Sequence, residues 1–163
     1  MKKLLAVFIL LLVWAFFVRP PVSGGLLTSW FGPRIFAGRT FHTGSDIALP
    51  AGTQVNPMSW GTVKTADYGE RQGNYVIIAH ALGVTSRYYH LDSINVTAGQ
   101  RVAPSTSIGT VGNTGISTGS HLHFEIRFAG IPLPAYTLTQ PGRLFNKAGG
   151  YRVLNSIGNI FSA

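Results

Sequence analysis

The sequence predicts an all-β domain, and three observations carry that expectation. Past Gly25, short runs rich in β-branched and aromatic residues are separated by Gly, Pro, Asn and Ser. Helical periodicity is scarce, and the stretch 121–128 alternates strictly between polar and apolar side chains. Twenty Gly and nine Pro among 163 residues supply the turns that such a fold needs. A chain of this length accommodates one domain around a single hydrophobic core, with no room for a second enzyme domain.

The first element is an apolar one. Met1-Lys2-Lys3 precedes an unbroken apolar run over 4–18, which Arg19-Pro20-Pro21 ends. That is the order of charge and hydrophobicity in a secretory signal or signal anchor, with the N-terminus inside and everything after the run outside. Fifteen residues are fewer than the roughly 20 that span a bilayer core, which speaks for a cleaved signal. The absence of an Ala-x-Ala site around Trp14-Ala15-Phe16-Phe17-Val18 speaks for retention as a membrane anchor, and retention is the reading adopted. Residues 1–23 are therefore expected to be leader or anchor, 24–135 the folded domain, and 136–163 an extension of unassigned role.

Within the domain, residues 54–63 and 74–80 read as strands, the second built on Tyr75-Val76-Ile77-Ile78 between Gly73 and a turn at Gly83. Residues 84–91 read as the returning strand. Gly99, Pro104 and Gly109 divide 96–111 into two short strands, and 112–119 is a polar loop that delivers the chain to the alternating segment. After Ile131 the prolines at 132, 134 and 141 are expected to break regular structure.

Composition narrows the chemistry. Hydrophobic residues make up 45% and charged residues 11% of the chain, which excludes wholesale disorder. The formal charge of +8 favours polyanionic surroundings such as anionic lipid or acidic wall polymers. No basic stripe with interleaved aromatics is present, so nucleic acid is not an expected partner. With no cysteine, disulfides and thiolate-bound metals are excluded, and any metal must sit on His and carboxylate, a mixture suited to Zn²⁺.

Such ligands are available. In His121-Leu122-His123-Phe124-Glu125-Ile126-Arg127-Phe128 a strand sends both imidazoles, Glu125 and Arg127 to one face and four apolar side chains to the other. In His42-Thr43-Gly44-Ser45-Asp46 a histidine and a carboxylate flank a glycine. Each segment alone is a weak signal. Together they supply His42, Asp46 and His123, a three-ligand set that leaves one tetrahedral position open, as in catalytic zinc sites. His121 lies beside His123, and His90 ends the strand containing Arg87-Tyr88-Tyr89-His90-Leu91. Glu125 and Arg127 read as a solvated or structurally paired strand face, Tyr88 and Tyr89 as core or cleft wall, and His80 as structural.

These motifs are similar to those of the lysostaphin and LytM-type zinc endopeptidases, which cut peptide cross-links in peptidoglycan. The resemblance begins at Phe31-Gly32-Pro33-Arg34, runs through HTGSD, Gly73-Asn74-Tyr75-Val76-Ile77-Ile78-Ala79-His80 and YYHL, and ends with Gly115-Ile116-Ser117-Thr118-Gly119-Ser120 before HLHFE. It covers roughly residues 27–134. Ser45, Asn56-Pro57-Met58 and Ser120 depart from the family pattern, and they bear on cleft shape and specificity because no ligand or catalytic position is lost.

The resemblance implies an antiparallel β-sheet or sandwich, duplicated and hybrid-like, whose long loops form a cleft. It implies one Zn²⁺ per chain on His42, Asp46 and His123, with His90 and His121 catalytic. The implied partners are peptidoglycan stem peptides and cross-bridges, and the implied place is the cell envelope outside the cytoplasm. Two rivals share these motifs: a non-catalytic LytM-type module that regulates a wall hydrolase, and an amidase acting at the sugar–peptide junction.

Overall fold

The computed structural model describes residues 18–36, 38–139, 143–145 and 151–153; the apolar run over 4–17 and most of the extension after 139 lie outside the described residues. Among the described residues no helix is long and apolar enough to cross a membrane.

Strands dominate. In chain order they are β1 (Leu26–Ser29), β2 (Gly32–Phe36), β3 (Arg39–His42), β4 (Ser45–Ala48), β5 (Gln54–Val55), β6 (Gly61–Gly69) and β7 (Gly73–Ala79). There follow β8 (Val84–Ile94), β9 (Arg101–Val102), β10 (Gly109–Val111), β11 (His121–Phe128), β12 (Ile131–Leu133), β13 (Arg143–Phe145) and β14 (Tyr151–Val153). Among the described residues one short α-helix, Ala135–Thr139, follows β12. The main sheet is ten-stranded with the order β1-β4-β11-β8-β7-β6-β9, and β5, β10 and β12 attach beside it. All of its pairings are antiparallel. The expected all-β antiparallel class is thus the observed one.

Two expectations about elements are corrected. Residues 54–63 are not one strand: β5 stops at Val55 and β6 starts at Gly61, because Pro57 lacks the N–H that a central ladder needs. Pro132, expected to break structure, lies within β12 opposite Arg127, and β12 is an edge strand where a missing donor costs little.

β11 is central because its apolar face is complete. Leu122, Phe124 and Ile126 are fully buried, as are Val76 and Ile78 of β7 and Tyr88 of β8. Each such aliphatic or aromatic side chain stabilises the fold by about 1.5–3 kcal/mol relative to exposure, which makes the strand carrying His121 and His123 a stiff platform. Upstream, Val18 and Val22 join the same core, and the backbone pairs Arg19 N–H with the Met58 carbonyl and Asn56 N–H with the Pro21 carbonyl.

His80 belongs to the architecture. Its Nδ1–H donates to the Trp60 carbonyl at 2.8 Å and its Nε2 accepts from the Ser86 hydroxyl at 2.7 Å, which ties β6, β7 and β8 together. Burial pushes its pKa below 6.5, against the opposing effect of the Trp60 carbonyl. The unfolded chain therefore takes up a proton near pH 6.5 that the folded chain accepts only at lower pH, so stability falls as pH drops below 6.5. Thermal melts of wild type and His80→Gln at neutral and mildly acidic pH check this: the variant should lose less of its Tm on acidification.

Candidate functional site

β4 and β11 lie side by side with His123 directly opposite Asp46. His42 ends β3, and Thr43-Gly44 carries the chain from the β2–β3 hairpin into β4. Gly44 has no substitute there. A Cβ at this position would sit 2.6 Å from the Phe124 carbonyl oxygen and 2.7 Å from His123 Nε2, so only glycine lets the HTGSD segment pass so close over β11.

Three donor atoms converge as a result. His42 Nε2 lies 3.1 Å from Asp46 Oδ1 and 3.0 Å from His123 Nδ1, and His123 Nδ1 lies 2.7 Å from Asp46 Oδ1. Hydrogen bonds behind the rings fix which nitrogens face inward. His42 Nδ1 is 2.6 Å from the Trp30 carbonyl, and His123 Nε2 is 3.2 Å from Glu125 Oε1; both partners only accept, so each of these nitrogens carries its proton there. The inward nitrogens of the neutral rings are then lone pairs, facing a carboxylate oxygen and each other. Three acceptors without a proton between them need a cation.

The spacing suits zinc, whose ligand distances of about 2.0–2.1 Å correspond to tetrahedral edges of about 3.3 Å. Without a metal, protons shared between the two rings and Asp46 take the cation's place. Burial alone would raise the Asp46 carboxyl, but the His123 and His42 rings outweigh it and hold the pKa far below the usual carboxylate range. Burial lowers the proton affinity of His123, yet Asp46 and Glu125 overcome this and raise it. The cluster of His42, Asp46 and His123 is buried and able to hold one metal ion.

His90 and His121 stand over this cluster with ring centroids 4.7 Å apart. His121 Nε2 is 3.9 Å from Asp46 Oδ1, while its Nδ1–H donates to the Gly119 carbonyl at 2.8 Å. His90 Nδ1–H donates to the Thr114 carbonyl at 2.8 Å. Both rings therefore present Nε2 as a lone pair when neutral. His90 also has a left-handed backbone, φ 63°, where β-branched or bulky residues are rarely found. The pairing register of β8 with β7 shifts between Asn74 and Val76, and across this bulge the consecutive residues Tyr88, Tyr89, His90 and Leu91 are all buried. Burial pushes the His90 pKa down to about 4; the Thr114 carbonyl opposes this, and charge on His121 and His123 adds to it.

All five predicted site residues are thus brought to one place, and the groups that orient them are new. Glu125 is 2% exposed, so it is not solvated. It accepts from His123, from the Thr43 hydroxyl and from Arg127 Nε at 2.8 Å. These partners overcome burial and hold its pKa down to about 2. Tyr89 stacks flat on His123, centroids 5.2 Å apart at 5°, as the opposite cheek of the same clamp. Arg34 Nη1 donates to Asp46 Oδ2 at 3.1 Å and to Ser29 Oγ at 2.7 Å, leaving Oδ1 for the cluster. Glu125 was visible in the sequence as a carboxylate on the His123 face; the Trp30, Thr114 and Gly119 carbonyls carry no side-chain signature. Glu125→Gln is expected to weaken metal binding by about 10- to 100-fold, measured by chelator competition, because the ligand ring loses its charged acceptor.

An open cleft crosses the cluster. On one side a lobe of about 420 Å³ is lined by Thr28, Ser29, Ala48, residues 116–119 of the predicted polar loop and Ser120. On the other a smaller lobe of about 80 Å³ is lined by Phe41, Thr43, Arg71, Gln72 and Tyr89. Arg34, His90, Ile116 and His123 border both lobes.

The chain is similar to known proteins in sequence and in fold. The chain is 41% identical over 130 residues to the peptidoglycan DD-endopeptidase ShyA of Vibrio cholerae, which is 77% of this chain and 30% of that protein. The chain thus spans less than a third of that relative's length. Among solved structures it is similar to a zinc-containing peptidase from Vibrio cholerae, with TM-score 0.69 and 38% identity over 73% of this chain and 39% of that one. It is similar also to the catalytic domain of lysostaphin from Staphylococcus simulans, with TM-score 0.65 and 28% identity over 71% of this chain and 93% of that one. Residues 40–134, more than half of the chain, match Peptidase family M23, and the chain belongs to that family.

Proposed function

We propose that this chain is a zinc-dependent endopeptidase that hydrolyses peptide cross-links of bacterial peptidoglycan in the cell envelope. The observation that carries the reading is the convergence, in an open cleft, of three lone-pair donors and two further imidazoles whose Nε2 atoms are kept free of protons by carbonyls behind them. Relatives named as peptidoglycan DD-endopeptidases support the substrate class. Lobes on both sides of the cluster support a peptide that runs through the site, as internal cleavage needs.

In this reading His42 Nε2, Asp46 Oδ1 and His123 Nδ1 hold the metal. Zn²⁺ bound there would supply Lewis-acid polarisation of the scissile carbonyl and would lower the pKa of a bound water to about 7. His121, held by the Gly119 carbonyl, is the general base: its Nε2 takes the proton from the attacking water and returns it to the leaving amine. His90 has its only ring proton on the Thr114 carbonyl and remains neutral down to about pH 4. It therefore accepts a hydrogen bond from the water and orients it; donation to an oxyanion would require a second ring proton. Glu125 and Tyr89 hold the His123 ring, and Arg34 holds Asp46.

Metal removal tests the cofactor. Dialysis of the full chain against a strong chelator should abolish cleavage of cross-linked muropeptides, and back-titration with Zn²⁺ should restore it with a break at one ion per chain. Activity that survives chelation with no bound metal would overturn the reading.

A further inference from the structure

We propose that the end of the sheet remote from the cleft is a membrane-docking surface, seated on anionic lipid next to the N-terminal apolar run. This rests on reading residues 4–18 as a retained anchor. Register places the surface. Thr62 of β6 pairs with Ala79 of β7, Ala79 with Thr85 of β8, Val84 with Phe128 of β11, and Phe128 with Ile131 of β12. Five neighbouring strands thus end in one row, about 19 Å long at 4.8 Å per strand.

The ends of that row carry apolar side chains. Trp60 is 57% exposed, Leu82 53%, Phe128 46% and Ile131 64%. Leu82 projects from a tight turn at φ 59°, and the Ala129 N–H pairs with the Gly83 carbonyl, which ties the β7–β8 and β11–β12 turns together. Scattered single apolar residues on a surface need no explanation, but four at one edge of a sheet, including an amphipathic tryptophan, do.

Two observations name the lipid. Residues 18–21 run antiparallel to 56–58, with Pro21 paired to Asn56 and Arg19 to Met58, so Val18, the last residue of the apolar run, lies toward the Trp60 end. Charge on this end has one sign. Exposed Arg19 flanks Trp60 through Met58, and exposed Arg101 lies opposite Thr62. The chain has five acidic residues in all: Asp46 and Glu125 sit in the site, Asp67 and Glu70 at the β6–β7 turn, and Asp92 beyond His90. None is on this rim. Basic residues beside exposed aromatic and aliphatic ones match an anionic headgroup layer.

The arrangement aims the cleft. His90 lies six residues along β8 from Val84, so the rim and the candidate active site are about 20 Å apart along one strand. A domain seated on its rim opens its cleft away from the bilayer, toward the wall strands nearest the membrane.

The chain has no cysteine, so one introduced thiol is unique. Full-length Ile131→Cys, Leu82→Cys and, at the cleft end, Tyr68→Cys are labelled with an environment-sensitive fluorophore. They are then reconstituted into vesicles of phosphatidylcholine with about one phosphatidylglycerol in three lipids. Brominated lipids should quench the labels at 131 and 82 several-fold more than the label at 68, and the difference should shrink in vesicles of phosphatidylcholine alone. Equal quenching at all three positions, in protein that resists carbonate extraction, would overturn the docking surface while leaving the anchor. Protein released by carbonate would overturn the anchor, and the docking surface with it.

Discussion

Replacing His123 with alanine is expected to abolish both metal retention and turnover in a chain that still folds. His123 Nδ1 is within 3.0 Å of both other donors, so its loss leaves two ligands, too few for a tetrahedral site that must keep a position open. Activity should fall by about 10³-fold or more, since a Lewis acid contributes several kcal/mol and each 1.36 kcal/mol is about tenfold in rate. The checks are zinc per chain by atomic emission and muropeptide release. A cooperative melt should persist, because the apolar face of β11 is untouched. Full activity in a zinc-free His123→Ala chain would remove the metal from the mechanism.

The His121→Ala variant should separate the two histidines of the HLHFE strand. His121 Nε2 stands 3.9 Å from Asp46 Oδ1, outside the 2.7–3.1 Å triad, so the variant should bind zinc as wild type does. Its kcat should fall by about 10²- to 10⁴-fold, the usual contribution of a positioned general base, with KM little changed. Undiminished turnover would exclude His121 as the base and turn attention to His90, whose Nε2 has the same tautomer.

How far these expectations were legible differs from residue to residue. The strict alternation of 121–128 placed His121, His123 and Glu125 on one strand face, and β11 has that geometry. Turn residues located β7 and β8 because Gly73 and Gly83, both with positive φ, bound them. Other features depended on tertiary context. Pro132 is tolerated only because β12 is an edge, and which strand lies at an edge is a property of the whole sheet. The His90 bulge depends on how β8 meets β7, and no periodicity announces it.

Within the candidate site, residue type was informative and orientation was not. Spacing made a metal set of His42, Asp46 and His123 plausible, strand alternation put His121 beside it, and the family resemblance added His90. The atoms that decide which nitrogen of each ring is basic are main-chain carbonyls of Trp30, Thr114 and Gly119, and main-chain atoms leave no trace in composition. Arg34 and Glu125 illustrate the intermediate case. Both lay within quoted motifs, yet their grip on Asp46 and His123 emerges only when β1, β2, β4 and β11 are assembled. The placement of Trp60 and Ile131 on one rim likewise needs the register of five strands.

The central claim, that this cleft cuts peptide cross-links, is tested most directly by mass spectrometry of purified cross-linked muropeptides incubated with the zinc-loaded full chain. Conversion of dimers to monomers that keep the amide between muramic acid and the first alanine is the predicted result, absent with His121→Ala. Dimers left intact, or stem peptides released whole from the sugar, would contradict it.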